Sequence, residues 1–540
     1  MPSDLPNDYY LDNFHYLLDF VSTVYLDLLS PEEKCFCKRF RDLKIDARRL
    51  YVRLANRKGP YFRCDKIEYS AIADISETIN ELLRGGLVQS VMPDFEHAVR
   101  LCNKQELMVL SELRDSPRSS KKKDLVDKLS KFKNLNPISE LKISVIELLG
   151  SKELEAVQLL FFGNFHQDMT EFVMHEIVAP FESYDLSPLT MSFSNRNALE
   201  MTIELKQFSD RSCEIIEHDA CGDTIIKVAA ELPTRPREPD IARRYDTVVN
   251  RLARQLERLG RSEEALSLYK LSVATPSRER RVRLLNTLRR YKDAIDLCEE
   301  IEEQPLNQEE QDFARFFAPR VALRSGLNHA LPSIQKKEIP VSTVQVADVL
   351  DTAEECGVRY FQQKGADCFY VENALFNGLF GFVFWDIIFS SVAGAFFNPF
   401  QRGPADLFTD HFYQIRRSKF DRRLAEVADA DQFKYRAFNV FKQKNGIVNN
   451  FIDWSFWNEE LLRLTLEHIP PMHCQAIFSR MLIDLKNNTK GFPDLIVFYQ
   501  HGYELVEIKG PGDKLQKNQQ RWFQYFAARR IPASLLNFEW

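Results

Sequence analysis

The 540-residue chain lacks the features that mark secreted proteins and zinc-ribbon proteins. Its first residues, MPSDLPNDYYLDNF, carry acids where a secretory signal needs a basic start followed by an apolar core. Its ten cysteines include no CxxC pair, which argues against the common spacings of structural zinc sites. We therefore expect a cytoplasmic protein whose cysteines are buried thiols.

The chain also lacks a net positive charge and an uninterrupted hydrophobic run of membrane length. With a net charge of −6 it is not a uniformly basic nucleic-acid coat, so any nucleic-acid surface must arise from local segregation of charge. The apolar stretch LFGFVFWDIIFSSVAGAFF (379–397) is interrupted by Asp386, and a charge at mid-bilayer is costly. We interpret the stretch as a helix buried in a core and expect no membrane partner.

At this length the chain exceeds what a single hydrophobic core can serve, so it should contain several domains, and the sequence patterns described below divide it into five segments. The proline-rich, basic stretch ELPTRPREPD (231–240) is typical of a domain boundary. We predict a mostly helical, multidomain protein with a basic helical DNA-binding domain (1–95), a SAP-like DNA-binding hairpin (96–137), a helical connector (138–235), tetratricopeptide-like helical repeats (236–355) and a C-terminal α/β domain (356–540).

An internal repeat supports the fourth segment. LERLGRSEEALSLYK (256–270) aligns with LNTLRRYKDAIDLCE (285–299), so that Ala265 matches Ala294 where paired helices must approach closely. Stacks of this kind present concave surfaces. Two ordinary helical hairpins are the alternative, and the agreement in register favours the repeat.

Two basic stretches are candidates for phosphate binding. The first, RRLYVRLANRKG (48–59), interleaves bases with aromatic and apolar residues, which would suit a face that tracks a DNA backbone. A solvated helix face is the alternative. The second is SPRSSKKK (116–123), a loop between two short amphipathic helices in an arrangement that resembles a SAP module. The candidate DNA-binding residues here are Arg48, Arg49, Arg53, Arg57, Lys58, Lys121, Lys122 and Lys123.

Charged residues interrupt an apolar hairpin near the C-terminus, GFPDLIVFYQHGYELVEIKGPGDK (491–514). Side chains alternate along a strand, so Glu507 and Lys509 share one face, and the turn pairs Asp494 with roughly residue 508. Burying such charges costs several kcal/mol each unless they are paired or bound to a metal. Two carboxylates and a strand carbonyl suit Mg²⁺ or Mn²⁺, whereas a simple salt bridge on a partly exposed sheet edge is the alternative.

The residues around this hairpin carry a resemblance to a known family. GFPDLIVF followed by YELVEIKGP, and then the helical segment around Gln519 and Trp522, resembles the VRR-Nuc domain of the PD-(D/E)xK nuclease superfamily. Upstream, ENALFNGLFGFVFWDIIF is similar to the segment that precedes this domain in Fanconi-associated nucleases. The basic stretch, the SAP-like hairpin and the helical repeat occur in the order of that family.

The resemblance implies a set of site residues. Metal ligands fall on Glu372, Asp494, Glu507 and the carbonyl of Ile508, with Lys509 as the catalytic lysine and Gln519 assisting at the site. Lys486 matches one residue of a pocket that holds a 5′ phosphate in animal members. Asn518 stands where that pocket has a lysine, so the sequence departs from the family there.

The resemblance also implies a function. We expect a Mg²⁺- or Mn²⁺-dependent nuclease that cuts 5′ flaps, degrades DNA 5′ to 3′ and serves the repair of interstrand cross-links. Its partner would be branched or flapped double-stranded DNA, and the protein would be a monomer or weak homo-oligomer, nucleoid-associated in a bacterial cytoplasm. Two alternatives stay open: a repeat scaffold that binds branched DNA with a decayed nuclease fold, and a nuclease of RNA or four-way junctions.

Overall fold

The structure, a computed structural model, contains two compact units. The first comprises Met1–Pro180 and Met191–Leu199, and the second Phe181–Thr190 and Glu200–Trp540. The residues that the structure describes are 8–110, 119, 121–130, 136–172, 180–186, 193–218, 221–332, 338–345, 352–409 and 411–539. The predicted basic loop at 116–123 therefore lies partly outside the described residues.

The first unit is mainly helical with one small sheet. Its elements are α1 (Tyr9–Val24), α2 (Pro31–Asp42), α3 (Ile45–Ala55), β1 (Tyr61–Arg63), α4 (Ile75–Arg84), β2 (Val88–Ser90), α5 (Phe95–Leu101), α6 (Lys104–Val109), α7 (Lys122–Leu129), α8 (Pro137–Glu140), β3 (Val145–Leu148) and α9 (Ser151–Phe162). The strands pair antiparallel in the order β1-β3-β2. Strands of three or four residues are too short to show an alternating pattern, so the sequence predicts only helices in this region.

The second unit begins with a run of helices. Helix α10 (Arg196–His218) starts in the first unit and ends in the second. The helices that follow are α11 (Gly222–Ala230), α12 (Pro239–Arg258), α13 (Ser262–Tyr269), α14 (Ser277–Thr287), α15 (Tyr291–Glu303) and α16 (Gln308–Ser325). The aligned segments of the internal repeat thus become the turns α12–α13 and α14–α15.

The two repeat turns have the same backbone design. Each first helix is followed, just past its C-cap, by a left-handed residue, Gly260 (φ +74°) or Arg289 (φ +60°). The next N–H then donates back to the last turn, from Arg261 to the Leu256 carbonyl at 2.9 Å and from Arg290 to the Leu285 carbonyl at 2.8 Å. This is the Schellman cap, which satisfies carbonyls that the helix end leaves free. The repeat seen in the sequence is therefore a repeat of local structure.

A five-stranded mixed sheet organises the rest of the second unit, in the order β4-β8-β7-β6-β5. Its strands are β4 (Val341–Gln345), β5 (Asp367–Tyr370), β6 (Leu495–Tyr499), β7 (Gly502–Lys509) and β8 (Ala533–Glu539). The helices are α17 (Ala353–Gln363), α18 (Ala374–Ile388), α19 (His411–Val427), α20 (Ala430–Gln443), α21 (Glu459–His468), α22 (Pro471–Ile483), α23 (Leu485–Asn488) and α24 (Lys517–Arg529). The predicted hairpin is present as β6 and β7, between the apolar helix and the last helix, with further strands on both sides of it in the sheet.

Both faces of this sheet are covered, because apolar side chains alternate to opposite sides. Leu495, Val497, Val506 and Ile508 pack with residues of α17, and Gly357 lets that helix approach closely, since a Cβ there would lie 2.8 Å from Ile508 Cδ1. The opposite face joins the largest core of this unit. Its members include Phe376 of α18, Phe478 of α22 and Trp522 of α24. A sheet covered on both faces buries any charge placed on its central strands.

Helix α18 is the apolar helix that the sequence analysis assigns to a protein core, and most of its side chains are buried. Asp386 is bound by Arg423 of α19 through two hydrogen bonds of 2.8 Å, which explains the acid within the apolar run. Across the described ranges, no helix is long and apolar enough to cross a membrane.

The five-segment division stays a prediction, although two observations bear on its boundaries. Helices α6 and α7 lie where the sequence predicts the two helices of the SAP-like hairpin. Strand β4 pairs in parallel with β8 and so belongs to the C-terminal sheet, although it lies upstream of residue 356. Pairing between segments so far apart in the chain leaves no local signal in the sequence.

Candidate metal centre

The hairpin β6–β7 brings three of the predicted site residues to one face. Leu495 pairs with Val506, so Asp494 is level with Glu507 rather than with residue 508. Directly opposed residues of an antiparallel pair share a face, whereas a shift of one residue would turn Asp494 to the opposite side. Asp494, Glu507 and Lys509 therefore lie on the face that α24 covers.

Glu507 is a fully buried carboxylate with one occupied and one free oxygen. Its side chain is 0% exposed, and Oε1 accepts from Lys509 Nζ at 2.6 Å and from Gln519 Nε2 at 2.5 Å. Within the described chain, no donor reaches Oε2. Burial, and then the nearby Asp494 carboxylate, raise the pKa of Glu507 despite the contact with Lys509.

Asp494 completes a pair of carboxylates. Its Oδ2 accepts the backbone N–H of Ile508 at 2.9 Å. Burial raises its pKa, and this backbone hydrogen bond and the charge of Lys509 oppose the rise only in part. We call Asp494 and Glu507 the carboxylate pair. Two buried acids whose pKa values are both raised form a site at which a positive charge would be stabilising.

The carbonyl of Ile508 faces the same place. The Ile508 N–H points to Asp494, and the N–H and C=O groups of one strand residue point to the same neighbouring strand. The register of the hairpin, continued past Leu495, places Pro493 opposite Ile508. Proline has no N–H to donate, so the proline of the PD motif leaves this carbonyl without a ladder partner from that strand.

Gln519 is aimed at Glu507 by the start of helix α24. Its Oε1 accepts the backbone N–H of Gln516 at 2.8 Å, which is one half of a capping box. With Oε1 committed to the backbone, Nε2 is the atom that faces Glu507. The helix cap thus determines which end of the amide meets the carboxylate.

Glu372 lies beside the carboxylate pair in the backbone, but its side chain is exposed and turned aside. Its N–H and that of Val371 both donate to the Asp494 carbonyl, at 3.0 and 2.7 Å. Its own carboxylate accepts from Tyr370 OH at 2.9 Å and from Asn373 Nδ2 at 3.0 Å. The φ of +37° is a strained value for a residue with a side chain, and such strain concentrates at functional sites.

The side chains around the carboxylate pair fit a divalent metal in part. In the part of the chain that the structure describes, no three or more His, Cys, Asp or Glu side chains converge as a metal site. The predicted trio is therefore not assembled, since Glu372 stays with Tyr370 and Asn373. The carboxylate pair nevertheless fits a hard cation, because a free buried oxygen, two acids of raised pKa and a carbonyl meet there.

Two residues near the carboxylate pair are not among the site residues predicted from the sequence. Tyr370, at the end of β5, donates to Glu372, and burial together with that carboxylate raises the pKa of Tyr370. Glu354, in the first turn of α17, contributes negative charge that helps to raise the pKa of Asp494. An acid in a first helical turn is ordinary in any sequence, so only the fold associates Glu354 with the site.

Several predicted DNA-binding arginines of α3 are engaged within the first unit. Arg49 forms ion pairs with Asp8 and Asp46, and Arg48 donates to the Leu43 carbonyl at 2.8 Å. Arg53 lies over the rings of Tyr10 and Tyr69 at 4.3 and 4.8 Å. These contacts keep the three side chains half-buried.

The remaining basic candidates are exposed. Arg57 and Lys58 lie past the end of α3, and Lys121 and Lys123 lie at the start of α7. Lys122 is exposed too, but its Nζ donates to the Cys102 carbonyl at 2.6 Å. Lys486 is an exposed residue of the short helix α23.

Comparison with known proteins identifies the family. A family model of the FAN1 HTH domain matches residues 8–89, and a model of the VRR-NUC domain matches residues 434–540. The Fanconi-associated nuclease 1 homolog of Pseudomonas aeruginosa is 30% identical over 98% of this chain and 96% of its own length. This chain belongs to the Fanconi-associated nuclease family.

More distant members and solved structures agree with this assignment. Fanconi-associated nuclease 1 homologues from Arabidopsis thaliana and human are 26% and 24% identical, and this chain spans 64% and 61% of their lengths. A crystal structure of paFAN1 bound to 2-nt 5′ flap DNA with a gap matches with a TM-score of 0.92 and 30% identity over 99% of both chains. A second, with a 1-nt 5′ flap, matches with a TM-score of 0.89 and 29% identity.

Membership of this family makes the protein a nuclease, a hydrolase acting on DNA. The VRR-NUC domain indicates dependence on a divalent metal. Its matched range begins at residue 434, yet the fold around the carboxylate pair also takes in β5, α17 and the segment of Glu372. The nuclease fold of this chain thus extends well upstream of the matched domain.

Proposed function

We propose that this nuclease uses Mg²⁺ or Mn²⁺ to cut phosphodiester bonds at 5′ flaps and related branched duplexes, degrades DNA 5′ to 3′, and serves the repair of interstrand cross-links. The observation that carries the proposal is the buried carboxylate pair beside Lys509, with one oxygen of Glu507 lacking any donor in the described structure. The likeness over 99% of both chains to a family member bound to 5′ flap DNA supports the choice of substrate.

In this proposal Asp494, Glu507 and the Ile508 carbonyl hold the cation, and Glu372 joins them by releasing Oε2 from Tyr370 while Asn373 keeps its hydrogen bond to Oε1. When bound, the cation stabilises negative charge that develops on the phosphate oxygens. Two features support this proposal: the PD proline leaves the Ile508 carbonyl without a ladder partner from its strand, and both acids lie on one face of the hairpin. Only Glu372 needs to move.

Lys509 and Gln519 act around that centre. Lys509 is 14% exposed and held 2.6 Å from Glu507, so a fixed positive charge lies next to the carboxylate pair. There it stabilises the transition state and orients the attacking water. Gln519 holds the second lone pair of the same Glu507 oxygen and so keeps Oε2 free for the cation.

The DNA would be gripped outside the nuclease fold. The basic N-terminal domain and the SAP-like hairpin are proposed to contact duplex phosphates through Arg48, Arg49, Arg53, Arg57, Lys58, Lys121, Lys122 and Lys123, and Lys486 to approach the flap end. The proposal also includes the five-segment division of the chain. It further includes a monomeric or weakly oligomeric state and a nucleoid-associated location in a bacterial cytoplasm.

A substrate competition tests this function. Labelled 5′ flap, 3′ flap, four-way junction and single-stranded RNA are incubated together, with Mg²⁺ or with a chelator, using the wild type and Asp494→Asn. We expect metal-dependent cleavage of the 5′ flap, lost in the variant while DNA binding persists. Preferred cutting of the junction or the RNA would assign a different nuclease, and tight branched-DNA binding without cleavage would indicate a scaffold.

A further inference from the structure

Asn373 links the segment of Glu372 to the loop that carries Asp494. Its Oδ1 accepts the backbone N–H groups of Gly491 and Phe492, at 2.9 and 3.3 Å. Its Nδ2 donates to Glu372 Oε1 at 3.0 Å. Although Asn373 is the first residue outside α18, its side chain makes no cap to that helix. The amide is devoted entirely to the contact between the two segments.

The chemistry of this link calls for an amide. Gly491 and Phe492 are buried, so their N–H groups need an acceptor inside the protein. The carboxylate of Glu372 needs a donor. Asparagine supplies both from one short side chain, whereas aspartate would set a second negative charge against Glu372 and leucine would leave the two N–H groups unpaired. Because the loop N–H groups face Oδ1, the NH₂ group must face Glu372.

The loop itself has little freedom on its other side. Gly491 has a φ of +88°, and a Cβ there would lie 2.8 Å from the Asn518 side chain. Trp522 Nε1 donates to the Lys490 carbonyl at 3.1 Å, and its ring lies 4.3 Å from that of Phe492. Helix α24 bounds one side of the loop, and on the other side the side chain of Asn373 connects the loop to Glu372.

We propose that Asn373 is a positioning residue that fixes Glu372 relative to the carboxylate pair and so sets the affinity for a divalent cation. The inference rests on the proposed function, since it takes Glu372 as a ligand. Outer partners of metal ligands typically change metal affinity by about 10- to 100-fold when they are removed. We therefore expect Asn373→Ala to bind Mn²⁺ at least about tenfold more weakly.

Asn377 offers a matched control one helical turn further on. Its Nδ2 donates to the Thr489 carbonyl at 2.9 Å, so it ties the same loop to the same helix. Unlike Asn373, it makes no hydrogen bond to Glu372 in the described structure. Asn377→Ala thus makes the same chemical change with a comparable loss of packing, and we expect it to keep Mn²⁺ affinity close to that of the wild type.

The experiment measures Mn²⁺ binding to the full chain without DNA, from the electron paramagnetic resonance signal of free Mn²⁺, together with metal-free thermal unfolding. A double-mutant cycle combines Asn373→Ala with Glu372→Gln. If Asn373 acts through Glu372, the double variant binds Mn²⁺ no more weakly than Glu372→Gln alone. Additive losses, unchanged or tighter binding by Asn373→Ala, or an equal loss in Asn377→Ala would overturn the inference.

Two further arms keep the result interpretable. Asp494→Asn must abolish high-affinity Mn²⁺ binding; if it does not, the metal centre of the proposed function fails, whatever Asn373 does. If Asn373→Ala unfolds without metal, Asn373→Ser replaces it in the same cycle, because a serine hydroxyl is too short to bridge the loop and Glu372 together. The same additive result would then refute the proposal.

Discussion

Replacing Asp494 by asparagine should abolish cleavage and, without metal, make the protein more stable. In the metal-free state the carboxylates of Asp494 and Glu507 face each other across the hairpin, and Glu507 Oε2 lacks a donor among the described residues. Asparagine keeps an oxygen for the Ile508 N–H, which Asp494 Oδ2 now accepts at 2.9 Å. It also presents an NH₂ group toward Glu507. The substitution therefore removes a repulsion and supplies a donor in one step.

The size of the effect follows from two opposing terms. A buried acceptor without a donor costs about 1–3 kcal/mol, more when it is charged. Against this, the bond from Ile508 loses the assistance of a full charge, which is worth roughly 1 kcal/mol. The expected net gain is about 1–2 kcal/mol at pH 8, where both acids of the wild type are ionised. Because the unit that holds Asp494 is larger than the 150- to 250-residue domains in which each kcal/mol shifts Tm by about 2–4 °C, we expect a shift of about 1–2 °C per kcal/mol.

Scanning calorimetry in chelator at pH 8 measures this gain. Asp494→Ala is the matched control, because it also removes the charge but leaves the Ile508 N–H without its acceptor, so it should unfold below Asp494→Asn. Both variants should bind DNA and cut none. An Asp494→Asn variant that unfolds below the wild type in chelator would refute the idea that the carboxylate pair is frustrated without metal.

Three further predictions concern pH, the lysine and the basic surface. The raised pKa values of Asp494 and Glu507 mean that folding favours the protonated acids. Metal-free stability should therefore fall as pH rises from the ordinary carboxyl range toward neutrality, by about 1.4 kcal/mol per pH unit. The difference in stability between wild type and Asp494→Asn across pH 5–8 measures this effect, and a difference that stays constant would contradict it. Lys509→Ala should lower single-turnover cleavage by about 10²-fold or more while Mn²⁺ affinity changes less; the reverse order would make the lysine structural. Replacing the exposed Arg57 and Lys58 by glutamine should reduce the slope of log affinity for DNA against log salt by up to about 2, whereas Arg63→Gln, which breaks the ion pairs of a buried arginine with Asp65 and Glu106, should lower stability with little change in slope; a double variant of Arg57 and Lys58 with the slope of the wild type would exclude these two residues as phosphate contacts.

Much of the nuclease assignment was accessible from local sequence. The acids within LIVF and ELVEI stand out because buried charge is costly, and the resemblance of the hairpin and its flanks names a family that comparison over 98% of the chain confirms. The helical repeat could also be predicted from local sequence, because the helix caps that define it depend on residues adjacent in the chain. The small strands of both sheets were not, because their pairing partners lie far away in the sequence.

By itself, therefore, the sequence predicted the residues that are proposed to carry the chemistry: the acid of the PD motif, the Glu–Ile–Lys run and the glutamine of the last helix. Tertiary structure decided how they meet. It set Asp494 level with Glu507, turned Glu372 toward Asn373 and paired Arg49 with acids of its own unit. The physical reason is that a strand register off by one residue reverses the face of every side chain, and long-range partners set that register.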